Sequence, residues 1–164
     1  MVYITDRRAW ALIATAAAAL AVASLILTPL LKLHPCHLCI FQRLLFMLIA
    51  AFAGLAALGG GAQRFGYAVS GLSVVGGATA GYQSWLQAQP ADDLLSCGGG
   101  DPGLIERMVN ELGQAVPSLF MATGFCEDEE LVIFGLSLAN WAFVAYAGMA
   151  MLSLWLLYPR SRAS

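Results

Sequence analysis

The sequence predicts an all-α membrane protein, a four-transmembrane-helix bundle with a long outer loop that contains a short amphipathic surface helix. Of its 164 residues, 60% are hydrophobic and 11% charged, against about 45–50% and about 25% in a soluble domain. The excess lies in four uncharged windows, Ala9–Leu31, Leu44–Ala62, Phe65–Leu86 and Leu131–Tyr158. Nine of the ten acidic residues fall instead within Gln87–Glu130. One domain over 1–164 is expected, with spans at about 9–31, 40–61, 65–86 and 131–158 and outer loops at 32–39 and 87–130.

Each window is long enough, as a helix, to cross ~30 Å of hydrocarbon at ~1.5 Å per residue. Helices are required there because lipid offers no hydrogen-bond partner to a loose backbone. The first window follows Arg7 and Arg8 but exceeds the ~7–15 apolar residues of a signal peptide, so it is read as a retained span. "GGGAQRFG" (59–66) makes a tight hairpin between the second and third windows. In the third, Gly77 and Gly81 stand four apart, a spacing that lets helix backbones approach closely. Ser137 and Asn140, in the fourth, are polar at membrane depth and read as interhelical hydrogen-bonders. Trp10, Trp85, Trp155 and Tyr158 near the span ends suit the headgroup zone.

Short loops rich in arginine stay in the cytoplasm. Arg7, Arg8, Arg64, Arg160 and Arg162 therefore place both termini and the 62–65 turn inside. The 32–39 and 87–130 loops then face outward, and with them all four cysteines: Cys36, Cys39, Cys97 and Cys126. In the long loop, Asp101 is expected as N-cap and Pro102 as the first residue of a helix. Leu104, Ile105, Met108, Val109 and Leu112 form its apolar face, suited to a membrane surface or to a protein partner.

An even number of exported cysteines favours disulfide chemistry over metal binding. In "LHPCHLCIFQRLLFML" (33–48), Cys36 and Cys39 stand where a helix begins, so its unpaired N–H groups favour thiolate. Arg43, four residues after Cys39, shares that helical face and adds a fixed positive charge. A dithiol at the lipid boundary suits an acceptor dissolved in lipid, and a quinone is such a two-electron carrier. Cys97 and Cys126 lie in glycine-containing stretches suited to exchange with proteins outside. A structural cross-link between them, or a four-thiolate zinc site, is the alternative.

These residues resemble the DsbB family of disulfide-bond-formation proteins, quinone-dependent thiol oxidases of bacterial inner membranes whose role in periplasmic oxidation is well known. The resemblance runs through "PCHLCIFQR", Cys97, "PSLFMATGFC" and "GLSLANW", over nearly the whole chain. It implies a DsbA-type thioredoxin-fold partner that forms a mixed disulfide with Cys97. Cys126 then attacks Cys36, and Cys39 is released as a thiolate next to ubiquinone or menaquinone, polarised by Arg43. Gln83 stands where many members carry a histidine and can donate to a quinone carbonyl; Leu131 stands where a tryptophan is common. Nucleic acid is not an expected partner. Two other functions fit the residues: a non-catalytic four-span protein stapled by outer disulfides, and the same relay run reductively, as in vitamin-K-epoxide-reductase-like proteins.

Overall fold

The computed structural model describes residues 2–59, 61–89, 103–124 and 131–161. Four long helices carry the fold: α1 (Val2–Leu30), α2 (His37–Ala57), α3 (Ala62–Gln87) and α6 (Leu138–Ser161). Between the last two lie α4 (Leu104–Ala115), the single turn α5 (Pro117–Phe120) and a hairpin of β1 (Val132–Ile133) and β2 (Leu136–Ser137). Three helical stretches, Arg7–Leu30, His37–Ala57 and Leu138–Tyr158, are long and apolar enough to cross a membrane. The chain is therefore a multi-pass helical membrane protein.

α3 is equally long but poorer in apolar side chains, and its packing shows why. It lies between α2 and α6, with Gly66, Ser70, Ser73, Gly76 and Ala80 among its buried residues. Small residues let neighbouring helices come close without a lipid-like side chain between them. A Cβ on Gly76 would run into the ring of Tyr146, and one on Gly66 would lie 2.8 Å from Leu157 and 3.0 Å from Trp10. The close approach is thus made here and not at Gly77 and Gly81. A Cβ on those two would sit 3.8 Å from Tyr146 and 3.6 Å from Phe143, ordinary contact distances. Ser70 Oγ adds a buried hydrogen bond to Ser153 Oγ of α6, 2.9 Å long.

α1 packs on α2 through Trp10, Ile13, Ala17 and Ala21, which share one core with Leu45, Phe46, Ile49 and Ala53. Trp10 is 1% exposed, so it fills the helix interface instead of a headgroup belt. Trp85, Trp155 and Tyr158 are exposed, as a belt requires. At the far end Arg7 Nε donates to the Ala57 carbonyl (2.8 Å), covering an acceptor that the end of α2 leaves open. The α2–α3 turn uses Gly59 and Gly61, both at positive φ, where a Cβ would be strained.

The window read as 131–158 is helical only from Leu138. Phe134 and Gly135 both take positive φ, closing a two-residue hairpin whose alternation is hidden because nearly all its residues are apolar. Trp141 Nε1 donates to Ile133 O (3.0 Å) and ties the hairpin to α6. Ser137 Oγ accepts from Asn140 N–H (3.4 Å), capping α6, and donates to Gln87 Oε1 of α3 (2.8 Å). The expected interhelical bond is therefore Ser137's, while Asn140 Nδ2 bonds back to Ser137 Oγ within its own turn.

Candidate functional site

α2 starts at His37, so its first turn contains Cys39, which the sequence had placed in a loop. Cys36 is the N-cap, with its Sγ accepting from Cys39 N–H at 3.4 Å. One helical turn brings the two sulfurs to 3.1 Å. Cys36 is 1% exposed, packed against Leu38, Leu86 and Ile105, while Cys39 is half-buried. Both thiols therefore sit at the mouth of an apolar helix, within the field of its N-terminal N–H groups.

From α3, Gln83 reaches the same sulfurs. Its Nε2 donates to Cys39 Sγ at 3.1 Å and lies 3.5 Å from Cys36 Sγ, and its Oε1 accepts from Gln42 Nε2 at 2.9 Å. Gln83 is 3% exposed and Gln42 6%. The sequence assigned the Gln83 donor to a quinone carbonyl; in this structure its Nε2 contacts both sulfurs. Gln42 was not singled out by sequence reasoning. Its signal was a second polar residue beside Arg43 in a helix that otherwise continues apolar. Tyr146 holds that turn from the other side, its hydroxyl donating to the Gln42 carbonyl (2.8 Å) while its ring stacks on Phe46.

Arg43, one residue on, turns the opposite way, towards α1. Its Nε donates to Ser24 Oγ (3.0 Å), Nη2 to Thr28 Oγ1 (2.8 Å) and Ser24 O (3.4 Å), and Nη1 to Leu119 O (2.9 Å). Four of the five guanidinium N–H groups are thereby used. The side chain is 6% exposed and does not snorkel outward. It lines a cavity of about 400 Å³ with Leu25, Thr28, Leu33, His34 and Ser118, and it interacts electrostatically with Cys39. Cys36, Cys39 and Gln83 do not line that cavity.

The segment 103–124 folds onto this end of the long helices. Val109 and Phe120 bury against Ile40, flanked by Phe41, Leu44 and Met47 of α2, and Ile105 and Leu112 pack beside them, so three of the five apolar-face residues of α4 are spent on the protein itself. Leu104 remains 86% exposed. α4 begins at Leu104 with Gly103 as N-cap, whose N–H donates to Glu106 Oε2 (3.2 Å). Asp101 and Pro102, expected to start this helix, lie outside the described residues. His37 Nε2 pairs with Asn110 Oδ1 at 3.1 Å, fastening α4 to the start of α2. Further on, Thr123 and Gly124 both donate their N–H to Pro35 O (2.9 and 3.3 Å), and a Cβ on Gly124 would strike the His34 carbonyl. The chain leading to Cys126 is thus seated on the loop leading to Cys36. Cys97 and Cys126 themselves lie outside the described residues.

The chain has relatives among known proteins. Residues 6–156 match the family described as Disulfide bond formation protein DsbB. A Disulfide bond formation protein B of Dechloromonas aromatica (strain RCB) is 42% identical over 159 residues, covering 95% of each chain. Those of Azoarcus sp. (strain BH72) and Paracidovorax citrulli (strain AAC00-1) are 34% and 35% identical, over 78% and 95% of this chain and 78% and 89% of their own. A dithiol at the mouth of an apolar helix, in a multi-pass chain similar over most of its length to these proteins, leaves one assignment: the chain belongs to the DsbB family of disulfide bond formation proteins.

Proposed function

We propose that this protein is a quinone-dependent thiol oxidase that restores the disulfide of an exported, DsbA-like thioredoxin-fold protein. It crosses the bacterial inner membrane four times, α3 included, with both termini cytoplasmic and the cysteines facing the periplasm. The arginines at the inner ends support that orientation, and the exposed part of the α4 apolar face supports contact with the membrane surface.

The observation that carries the proposal is the Cys36–Cys39 pair at the head of an apolar helix, one turn from a buried arginine that lines a cavity. The donor set fits a quinone. About 400 Å³ lies within the range of small-molecule sites, and Arg43 keeps one N–H for a carbonyl after its four bonds to protein. A bound quinone supplies a two-electron acceptor confined to the bilayer. Arg43 would hold its carbonyl, and Ser24 and Thr28 would hold Arg43.

The protein's own sulfurs do the exchange. A partner dithiol attacks the Cys97–Cys126 disulfide, forming a mixed disulfide at Cys97 and freeing the Cys126 thiolate. Cys126 then attacks Cys36 of the inner disulfide and the bonding pair leaves on Cys39, while the partner's second thiolate displaces Cys97 and closes the partner's own disulfide. The seating of Thr123 and Gly124 on Pro35 supports this route. Cys126 follows Gly124 by two residues, a tether of at most ~7 Å, and Pro35 adjoins Cys36.

The test is anaerobic: oxidised protein, a reduced thioredoxin-fold partner and a soluble quinone are mixed and quinol absorbance is followed. Stoichiometric quinol that disappears with Cys39→Ser is expected. Absence of turnover, or turnover indifferent to Cys39→Ser, rejects the proposal.

A further inference from the structure

We infer that Gln42 is a positioning residue for the inner thiol pair: it fixes the Gln83 amide so that both N–H groups point at sulfur and the departing Cys39 thiolate is met by a hydrogen-bond donor. This deepens the thiol-exchange proposal above and rests on it.

A glutamine amide has one accepting end and one donating end, similar in size. Against sulfur, its orientation decides the sign of the effect: N–H stabilises a thiolate, whereas a carbonyl oxygen repels it. Gln83 has no charge to choose the orientation for it. Gln42 makes the choice, because its Nε2 donates at 2.9 Å and only Oε1 of Gln83 can accept. The N–H pair of Gln83 is then left for the sulfurs, at 3.1 Å from Cys39 and 3.5 Å from Cys36. The shorter of the two reaches Cys39 Sγ, the atom that leaves once Cys36 Sγ is bonded to the incoming thiol. Cys36 Sγ receives longer contacts, from Cys39 N–H at 3.4 Å and from Gln83. The arrangement therefore favours negative charge on Cys39.

The chemistry is balanced by the exchange itself. An incoming thiolate bonds to Cys36 Sγ, the Cys36–Cys39 bond breaks, and its electron pair departs on Cys39. No proton need move, because Gln83 donates a hydrogen bond without giving up its hydrogen. Burial of both amides keeps water from competing, so the orientation matters more here than at a surface. The two amides do not titrate; the titratable and charged groups beside the pair are His37, between the two cysteines, and Arg43, which interacts electrostatically with Cys39.

The test reads sulfur reactivity and needs neither quinone nor partner. Reduced full-length protein in nanodiscs is alkylated with iodoacetamide, and the Cys39 peptide is quantified by mass spectrometry at pH 7 and pH 9. Gln42→Glu offers only acceptors and draws the Gln83 N–H groups away from sulfur. Cys39 alkylation at pH 7 should slow by roughly tenfold and recover at pH 9, with the pH 9 to pH 7 rate ratio widening accordingly. Gln42→Met, nearly the same shape but unable to hydrogen-bond, should slow it by roughly threefold, and Gln83→Met by as much as Gln42→Glu. Gln42→His, which restores a donor, should return most of the rate. An unchanged rate ratio in Gln42→Glu overturns the inference, and Gln42→Met decides in the same way if the glutamate variant does not fold. A changed ratio with no quinol formation by the wild type would keep the inference and reject the oxidase.

Discussion

Two neighbouring residues of α2 face opposite halves of the site. Gln42 looks towards α3, where the surroundings are two sulfurs and two neutral amides. Arg43 looks towards α1, where a full positive charge is held by hydroxyls and carbonyls beside a cavity. Successive helical residues point about 100° apart, so a single turn can serve both sides. The contrast separates two tasks. On the proposed reading, a donor without charge tunes the sulfurs on the α3 side, while on the α1 side a fixed charge is kept for a ligand. A guanidinium in direct contact with sulfur would hold the thiolate more firmly but have less left for anything else.

The contrast is sharpest if each side can be damaged alone. Cys39→Ser should remove quinol formation to background, since Cys36 alone cannot form the inner disulfide; any residual turnover above background would break the sulfur side of the comparison. Arg43→Met should raise the quinone KM by roughly 10–150-fold, the worth of one hydrogen bond to a charged group. Its Cys39 alkylation profile should stay within about threefold of wild type, whereas a profile shifted as in Gln83→Met would merge the two sides into one. Thr123→Pro deletes an N–H donor to Pro35. It should slow electron passage from the outer to the inner cysteines by roughly tenfold, seen as partner accumulating in a mixed disulfide on non-reducing gels. A mixed disulfide no more abundant than in wild type would detach the loop from the site. Gly76→Ala should destabilise the protein by about 1–3 kcal/mol, read as a lower Tm in detergent, because its methyl meets the Tyr146 ring. Ser153→Ala, which loses one buried interhelical bond, should cost only about 0.6 kcal/mol by the same measurement.

Much of this was legible in the sequence. Apolar windows gave the helices, and Cys36, Cys39 and Arg43 were marked by their spacing at the head of one of them. The facing of one helix towards another was not legible. Gln42 meets Gln83 across 41 positions, and nothing local to either residue announces the other. For the same reason Gly76, and not the neighbouring Gly77, receives the Tyr146 ring, and Trp10 lies inside the interface. The hairpin at 132–137 escaped for a different reason. Its turn is Phe134–Gly135 in place of the common Asn-Gly, and an unbroken apolar run looks like membrane whether it is strand or helix.

Tyr146 extends the site beyond the helices that own its reactive groups. Its ring occupies the notch left by Gly76, and its hydroxyl ends on the carbonyl of residue 42. A rigid ring seated in a notch works as a key: it admits one rotation and one height of α6 against α2 and α3. A helix synthesised later therefore sets the alignment of a turn laid down about a hundred residues earlier, and the Cys36–Cys39 pair is fully gauged only once α6 is in place.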